Sequence, residues 1–439
     1  MHLLQKSILV LFCALPFGIQ AQAKPDSLLQ SATLQTIVDY ALKHQPAINQ
    51  ALLDEEITSR AIKGKLADWY PQVNFVYNYQ RNFDLPVNII GGNEVRFGVN
   101  NTSATQLNAT QAIFNRDVLL AGKTASQVKV QAGQVTTRTK MDVVVTVSKA
   151  FYDVLATMQQ IKIGEEDLVR LQRSLQDARS RYTTGIADKT DYKRATILLR
   201  NSEATLKANQ EALKYKQSYL KTVMGYPASA HLEILYDTLQ MENEIVLDTL
   251  QQLEYAQQID YRILFTQKEL QHANVAYSKW AYLPSANLFG SYIFNFLNNN
   301  FNQLYDKRIP NSYAGITLSV PLFQGNKRNL KIQEQALGLK RLDWDLLNLQ
   351  NNLSTQYSRA LAAYKSNLTT YQALKENVEL AREVYDVIQL QYRNGVRAYL
   401  DVTIAETDLR SARISYFNAL YQVLASKLDV QRVLGQITI

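Results

Sequence analysis

The sequence predicts a mostly α-helical chain of long antiparallel coiled-coil helices that also carries four β-strands, built as an internal duplication. Three observations carry this. Glycine (16) and proline (9) are scarce in 439 residues, and residues 87–226 and 322–439 hold no proline, which leaves room for two extended helical tracts. The stretch Tyr182–Gly225 aligns with Tyr392–Gly435 at a constant offset of 210, matching Gly185 to Gly395, Asp191 to Asp401 and Leu199 to Leu409. Upstream, WYPQVNF at 69–75 resembles YLPSANL at 282–288, and each proline heads a β-rich stretch.

In chain order, residues 1–23 read as an export signal. Lys6 is the basic flank, Ile8 to Leu15 the apolar core, and Ala21-Gln22-Ala23 a cleavage site after Ala21 or Ala23. Cys13, the single cysteine, lies in that apolar core behind Phe12, where a lipid-anchor site would want a small residue; it is read as discarded with the signal. The mature chain then has no thiol, which excludes disulfides, cysteine nucleophiles and thiolate metal sites. No later run of 18 apolar residues follows, so a membrane could be spanned only by a closed β-barrel.

The first repeat covers 24–225. A helix over about 34–68 ends before Pro71, strands follow at about 72–83 and 95–112, and helices at about 115–183 and 188–224 flank the glycine break. Residues 226–250 form a connector. The second repeat, 251–439, has the same order: a helix over about 248–281, strands at about 286–297 and 312–322, and helices at about 325–393 and 398–434. In the second long helix, apolar or small residues recur at Ile332, Ala336, Leu339, Leu342, Leu346, Leu349 and Leu353, and onward through Tyr364, Tyr371 and Val378 to Tyr392. Steps of three and four predict a seam that supercoils left-handedly against its neighbours. Such a helix spans about 100 Å at 1.5 Å per residue, and the two shorter helices of a repeat, end to end, cover the same length.

After Pro71, Val73, Phe75, Tyr77 and Tyr79 face one way while Asn74, Asn78 and Gln80 face the other; Ile316, Leu318 and Val320 alternate with Thr317 and Ser319. Strands of this length with an aromatic-rich apolar face suit an outer-membrane barrel, and the same period also suits the edge of a soluble sandwich. Four strands cannot close a barrel, so the membrane reading demands strands pooled between chains.

Composition and spacing exclude several classes. The formal charge of +8 is spread without a basic run, which gives nucleic-acid binding no footing. His44, His231 and His272 are dispersed, His2 belongs to the signal, and no glycine-rich phosphate loop appears. Asp54-Glu55-Glu56 and Glu165-Glu166-Asp167 read as solvated faces of amphipathic helices rather than acid–base pairs. No enzyme, metal or cofactor is expected.

The signal, the duplicated helix–strand–strand–helix–helix order, the proline-headed strands, the PLF exit at 321–323 and the Tyr-x-x-Gly turns at 182–185 and 392–395 together resemble the TolC-type outer-membrane efflux proteins over essentially the whole mature chain. The resemblance implies a homotrimer whose four strands per chain make a twelve-stranded barrel in outer-membrane lipid. It implies a helical tunnel through the periplasm. It implies as partners a periplasmic adaptor (a membrane fusion protein) and an inner-membrane pump of RND or ABC type. It places Gly185 and Gly395 in turns at the tunnel's periplasmic tip. By the same resemblance Tyr392 and Asp191 match one inter-helix latch, Arg397 and Thr190 match a second, and Asp401 matches one of two constriction-ring aspartates. Ile404 stands where the family's best-known member has the other aspartate.

The same residues also have plainer roles. Asp191 and Asp401 each sit in a helix's first turn, where any carboxylate is favoured by free N–H groups. Gly185 and Gly395 suit helix C-termini, Tyr392 continues the apolar seam, and Arg397 is a solvated charge. A soluble periplasmic coiled-coil scaffold or adaptor remains the alternative function at this point.

Overall fold

In the computed structural model, residues 29, 31–186, 188–235 and 238–439 are described. The expected signal segment, with Cys13 and both cleavage positions, lies outside them. Two helices, α1 (Leu34–His44) and α2 (Pro46–Ala67), lead into β1 (Gln72–Arg81). A small hairpin, β2 (Val87–Ile90) and β3 (Asn93–Arg96), precedes β4 (Asn101–Phe114), α3 (Arg116–Thr183) and α4 (Lys189–Met224). After a short α5 (Thr238–Asn243), the order repeats as α6 (Ile259–Lys279), β5 (Ser285–Asn298), β6 (Ile309–Ser319), α7 (Lys327–Arg393) and α8 (Tyr399–Leu434).

The four long helices begin within two residues of their sequence-based starts, because local chemistry sets their ends. Asn115 and Asp188 cap α3 and α4 through their side chains. All four end on a glycine in the left-handed region, Gly185, Gly225, Gly395 and Gly435, with φ between 71° and 75°. The hydrogen bonds Ile186 N–H to Arg181 O and Val396 N–H to Gln391 O close matching Schellman turns at the two tips. At the other end of the repeat, a Cβ on Gly225 would meet His44 O at 2.7 Å, and one on Gly435 would meet Gln257 O at 2.7 Å. The duplication therefore extends to a backbone crossing that only glycine permits.

Three sequence expectations are corrected. The helix expected over 34–68 is two helices, because Pro46 pushes Gln45 into extended backbone (φ −65°, ψ 122°) and lacks the N–H that would continue the helix. The helix expected from 248 begins at Ile259; Gln258 takes the same extended conformation, and its side chain caps the Tyr261 N–H. Residues 95 and 96, counted with the strand expected over 95–112, belong instead to β3, which folds back onto β2 across Gly91-Gly92, whose positive φ values suit a primed hairpin turn.

β1, β4, β5 and β6 pair in that order as one antiparallel sheet. The register places Val73, Phe75 and Tyr77 on one face with Leu107, Leu288, Tyr292, Ile316 and Leu318, while Asn74, Asn108, Ser291, Asn287 and Thr317 share the other. Both faces of the expected alternation are thus present, and β1 and β6 are open edges. Among the described residues no helix is long and apolar enough to cross a membrane.

The core sits at mid-height. Around α3, Val144, Val147, Phe151, Val154 and Leu155 are buried on nearly every side, packed by α1, α8 and the segment after α4. That segment, expected only as a connector, is tied down: the Tyr364 hydroxyl donates to Ile245 O at 2.8 Å, and Lys375 pairs with Glu242 at 2.6 Å. By contrast α7 buries only Leu342, Leu346, Leu353, Tyr364, Tyr371 and Val378, every one a member of the expected seam. Trp344, Leu380 and Val387 stay exposed on it.

Candidate functional site at the helical tip

The two Schellman turns stand side by side because α3 packs along both α4 and α8, and α7 along α8. Where they meet, Ala178, Ala195 and Tyr399 form a small buried cluster against which Leu175 and Tyr392 pack. Tyr399 exchanges a hydrogen bond with Ser174 at 2.8 Å, the Arg181 guanidinium lies 4.6 Å over the Tyr392 ring, and the Tyr182 and Tyr192 rings stack at 6.3 Å. Cation–π and aromatic contacts of this kind contribute about 0.5–1.5 kcal/mol each.

The site residues named from sequence fall as follows. Tyr392 is half-buried, and burial raises its hydroxyl's pKa, opposed by Arg181 and reinforced by the charges of Asp191 and Asp177. Within one chain the Tyr392 hydroxyl makes no hydrogen bond to Asp191, the carboxylate assigned to it. Arg397 lies 3.2 Å from Gln391 Oε1 and 3.8 Å from Asp401, not on Thr190. Thr190 is exposed at the start of α4, its N–H taken by Asp188 Oδ1 at 2.7 Å. Asp191 and Asp401 are third residues of their helices and donate their backbone N–H groups to Asp188 O and Ala398 O. Ile404, one turn beyond Asp401, is 52% exposed. Gly185 and Gly395 have open space around them, so their requirement is the positive φ alone.

A charged cluster that sequence reasoning assigned to solvent lies about 25 Å above the turns, at 1.5 Å per residue. Asp167 is only 1% exposed and faces α8, a correction to its reading as part of a solvated face. Arg170 contacts Asp167 and reaches Glu406 at 3.5 Å, Arg410 reaches Asp167 at 3.9 Å, and Glu166 pairs with Arg413 at 2.7 Å. Neither Asp167 oxygen has a well-formed hydrogen bond. The signal was available: Arg410, Arg413 and Glu406 recur at three- and four-residue steps on the helix that the duplication packs beside α3.

Burial raises the Glu406 carboxyl above its ordinary 4.5, with Arg170 and Arg410 pulling it back. A folded-state value above the unfolded one means that this group's stabilisation is complete below the ordinary value and is lost as pH rises through the folded value. Glu406→Gln removes the titration. The stability of the unmodified protein relative to Glu406→Gln is therefore expected to grow as pH is lowered from neutral towards 4.5. Thermal melts across that window check it, and a constant difference contradicts it.

Comparison with known proteins follows the same outline. A family model described as outer membrane efflux protein matches residues 37–226 and 267–436, one segment in each repeat. The outer membrane protein TolC of Vibrio cholerae serotype O1 is 20% identical over 443 residues, covering 99% of this chain and 96% of its own. Among solved structures, a membrane protein from Pseudomonas aeruginosa superposes with a TM-score of 0.76 at 18% identity, covering 91% of this chain and 90% of its own. The outer membrane protein VceC of Vibrio cholerae superposes with a TM-score of 0.72 at 13% identity, covering 92% and 96%.

Proposed function

We infer the chain's role from one premise, that it belongs to the outer membrane efflux protein family. It is an outer-membrane efflux duct with a periplasmic helical tunnel, in a family of channels rather than enzymes, and TolC-like members of the family work with tripartite pumps.

Beyond that, the assembly is a homotrimer gated at the tip. The observation that carries this is a sheet with one apolar face and two open edges, β1 and β6, set on helices about 100 Å long. Open edges are not tolerated in hydrocarbon, and four strands per chain from three chains close a barrel of twelve. Exposed Trp344, Leu380 and Val387 on α7 support the same assembly lower down. The duct serves a tripartite efflux or type I secretion system, receiving its cargo through a periplasmic adaptor from an RND-type or ABC-type pump. It needs no cofactor and performs no bond chemistry.

At the tip, Tyr392 with Asp191 and Arg397 with Thr190 form the latch on assembly, and Asp401 repeats three times as a single acidic collar beside a ring of Ile404. Carboxylates around a narrow aperture hold multivalent cations. Purified protein is expected to need detergent for extraction and to insert into planar bilayers. Asp401→Ala is expected to weaken block by a trivalent cation on the tip side roughly tenfold, the factor that about 1.4 kcal/mol of lost attraction produces. Unaltered block removes the collar; a water-soluble protein that never inserts overturns the duct.

A further inference from the structure

Where strands become helices, the wall has a cavity on each face. One, of about 860 Å³, is lined by Asp117, Tyr277, Asn287 and Lys327. It lies on the polar side of the sheet, since Asn287 shares that face with Asn74 and Ser291. Lys327 and Lys331, from the start of α7, supply its positive charge.

The second, a groove of about 710 Å³ between α2 and α3, is lined by Leu66, Val118, Leu119 and Gly122, with Trp69 and Tyr70 at its upper rim and Lys63 and Lys123 at its sides. At 100° per residue, Leu119 and Gly122 lie roughly 140–200° round α3 from Asp117, which lines the first cavity. The groove therefore opens on the opposite side of α3, and its rim residues Trp69 and Tyr70 lead within three residues to Val73, exposed on the apolar sheet face. Its lining contains no carboxylate, and among the described residues neither Lys63 nor Lys123 is in an ion pair. The Lys123 ammonium rests 4.7 Å over the Trp280 ring.

We propose that this groove seats one anionic phospholipid of the periplasmic leaflet. An acyl chain lies along Leu66, Val118 and Leu119, and the headgroup phosphate sits between Lys63 and Lys123. Trp69 and Tyr70 flank the acyl chain where it leaves the groove towards the sheet, near the depth at which amphipathic rings collect. Gly122 keeps the groove open: a Cβ there would touch Leu66 at 3.8 Å, an ordinary contact. A side chain at 122 thus starts from ordinary contact and takes up room in the groove. The proposal rests on the outer-membrane placement of the sheet.

The test is native mass spectrometry of the assembly after reconstitution in vesicles of equal phosphatidylglycerol and phosphatidylcholine, followed by mild detergent extraction. Phosphatidylglycerol is expected to be retained in preference by on the order of tenfold, given the attraction each juxtamembrane lysine exerts on anionic lipid. Lys63→Glu with Lys123→Glu is expected to abolish the preference, and Gly122→Leu to lower retention of both lipids. Lys327→Glu with Lys331→Glu, the same charge change on the polar side, is expected to leave the preference intact. Loss of preference in that control, or its survival when Lys63 and Lys123 are reversed, overturns the site. Insertion without retained lipid defeats the groove alone, whereas failure to enter the vesicles defeats the outer-membrane placement beneath it.

Discussion

Asp167→Ala is expected to lower the stability of the helical stem by about 3 kcal/mol, at the low end of what removing one partner of a buried ion pair costs. The carboxylate is 1% exposed and lies between Arg170 of its own helix and Arg410 of α8. Removing it leaves two guanidinium groups crowded at a helix seam with one carboxylate, Glu406, still 3.5 Å from Arg170. That remaining contact, and the 29% exposure of both arginine side chains, keep the cost from the upper end. Asp167→Asn keeps the volume and is expected to cost less. Denaturation of the detergent-solubilised protein, followed by helical circular dichroism, measures it; an unchanged midpoint contradicts the network's role in holding α3 to α8.

Tyr392→Phe combined with Arg397→Ser is expected to raise single-channel conductance in planar bilayers several-fold. The proposed bond from the Tyr392 hydroxyl to a carboxylate is charge-assisted, worth about 1.5–3 kcal/mol where water is excluded. Even the lower figure, lost once per chain, shifts the closed state by about tenfold for each chain. The structure adds a second consequence. Arg397 lies 3.8 Å from Asp401 in a half-exposed pair, so removing Arg397 also frees the carboxylate proposed to form the collar. Arg397→Ser alone is therefore expected to tighten cation block while Tyr392→Phe alone is not, a modest effect because such pairs contribute only about 0.3–0.5 kcal/mol. Unchanged conductance in the double variant removes the latch assignment.

The helices of this fold were legible because their ends are decided locally. A glycine that must take positive φ, an Asp188 or Asn115 cap, and a heptad seam from Leu342 to Val378 are all written within a few residues. The strands were legible because period-two alternation survives in an antiparallel sheet with one apolar face. Pro46 shows where local reading failed although its signal was present: the break it makes lies inside an otherwise continuous helical pattern, and its counterpart at Gln258 carries no proline at all. Pro46 makes the first break locally, and what the two breaks share is tertiary, the crossing of Gly225 over His44 and of Gly435 over Gln257. Asp167 was misread for a related reason. Its neighbour Glu165 is exposed and Glu166 reaches Arg413 from a partly exposed position, and only the approach of α8 buries Asp167 among them. At the tip, single-chain contacts gave Tyr392 its surroundings and Arg397, in the turn between α7 and α8, its contacts with Gln391 and Asp401, whereas a latch between subunits is decided by how chains meet.

The number of chains in the solubilised assembly tests the central claim most directly. Native mass measurement in detergent is expected to find three chains held together, twelve strands in all, falling apart to single chains only on heating. A stable single chain that stays in solution without detergent would contradict it, since two open strand edges and an apolar sheet face would then be exposed to water.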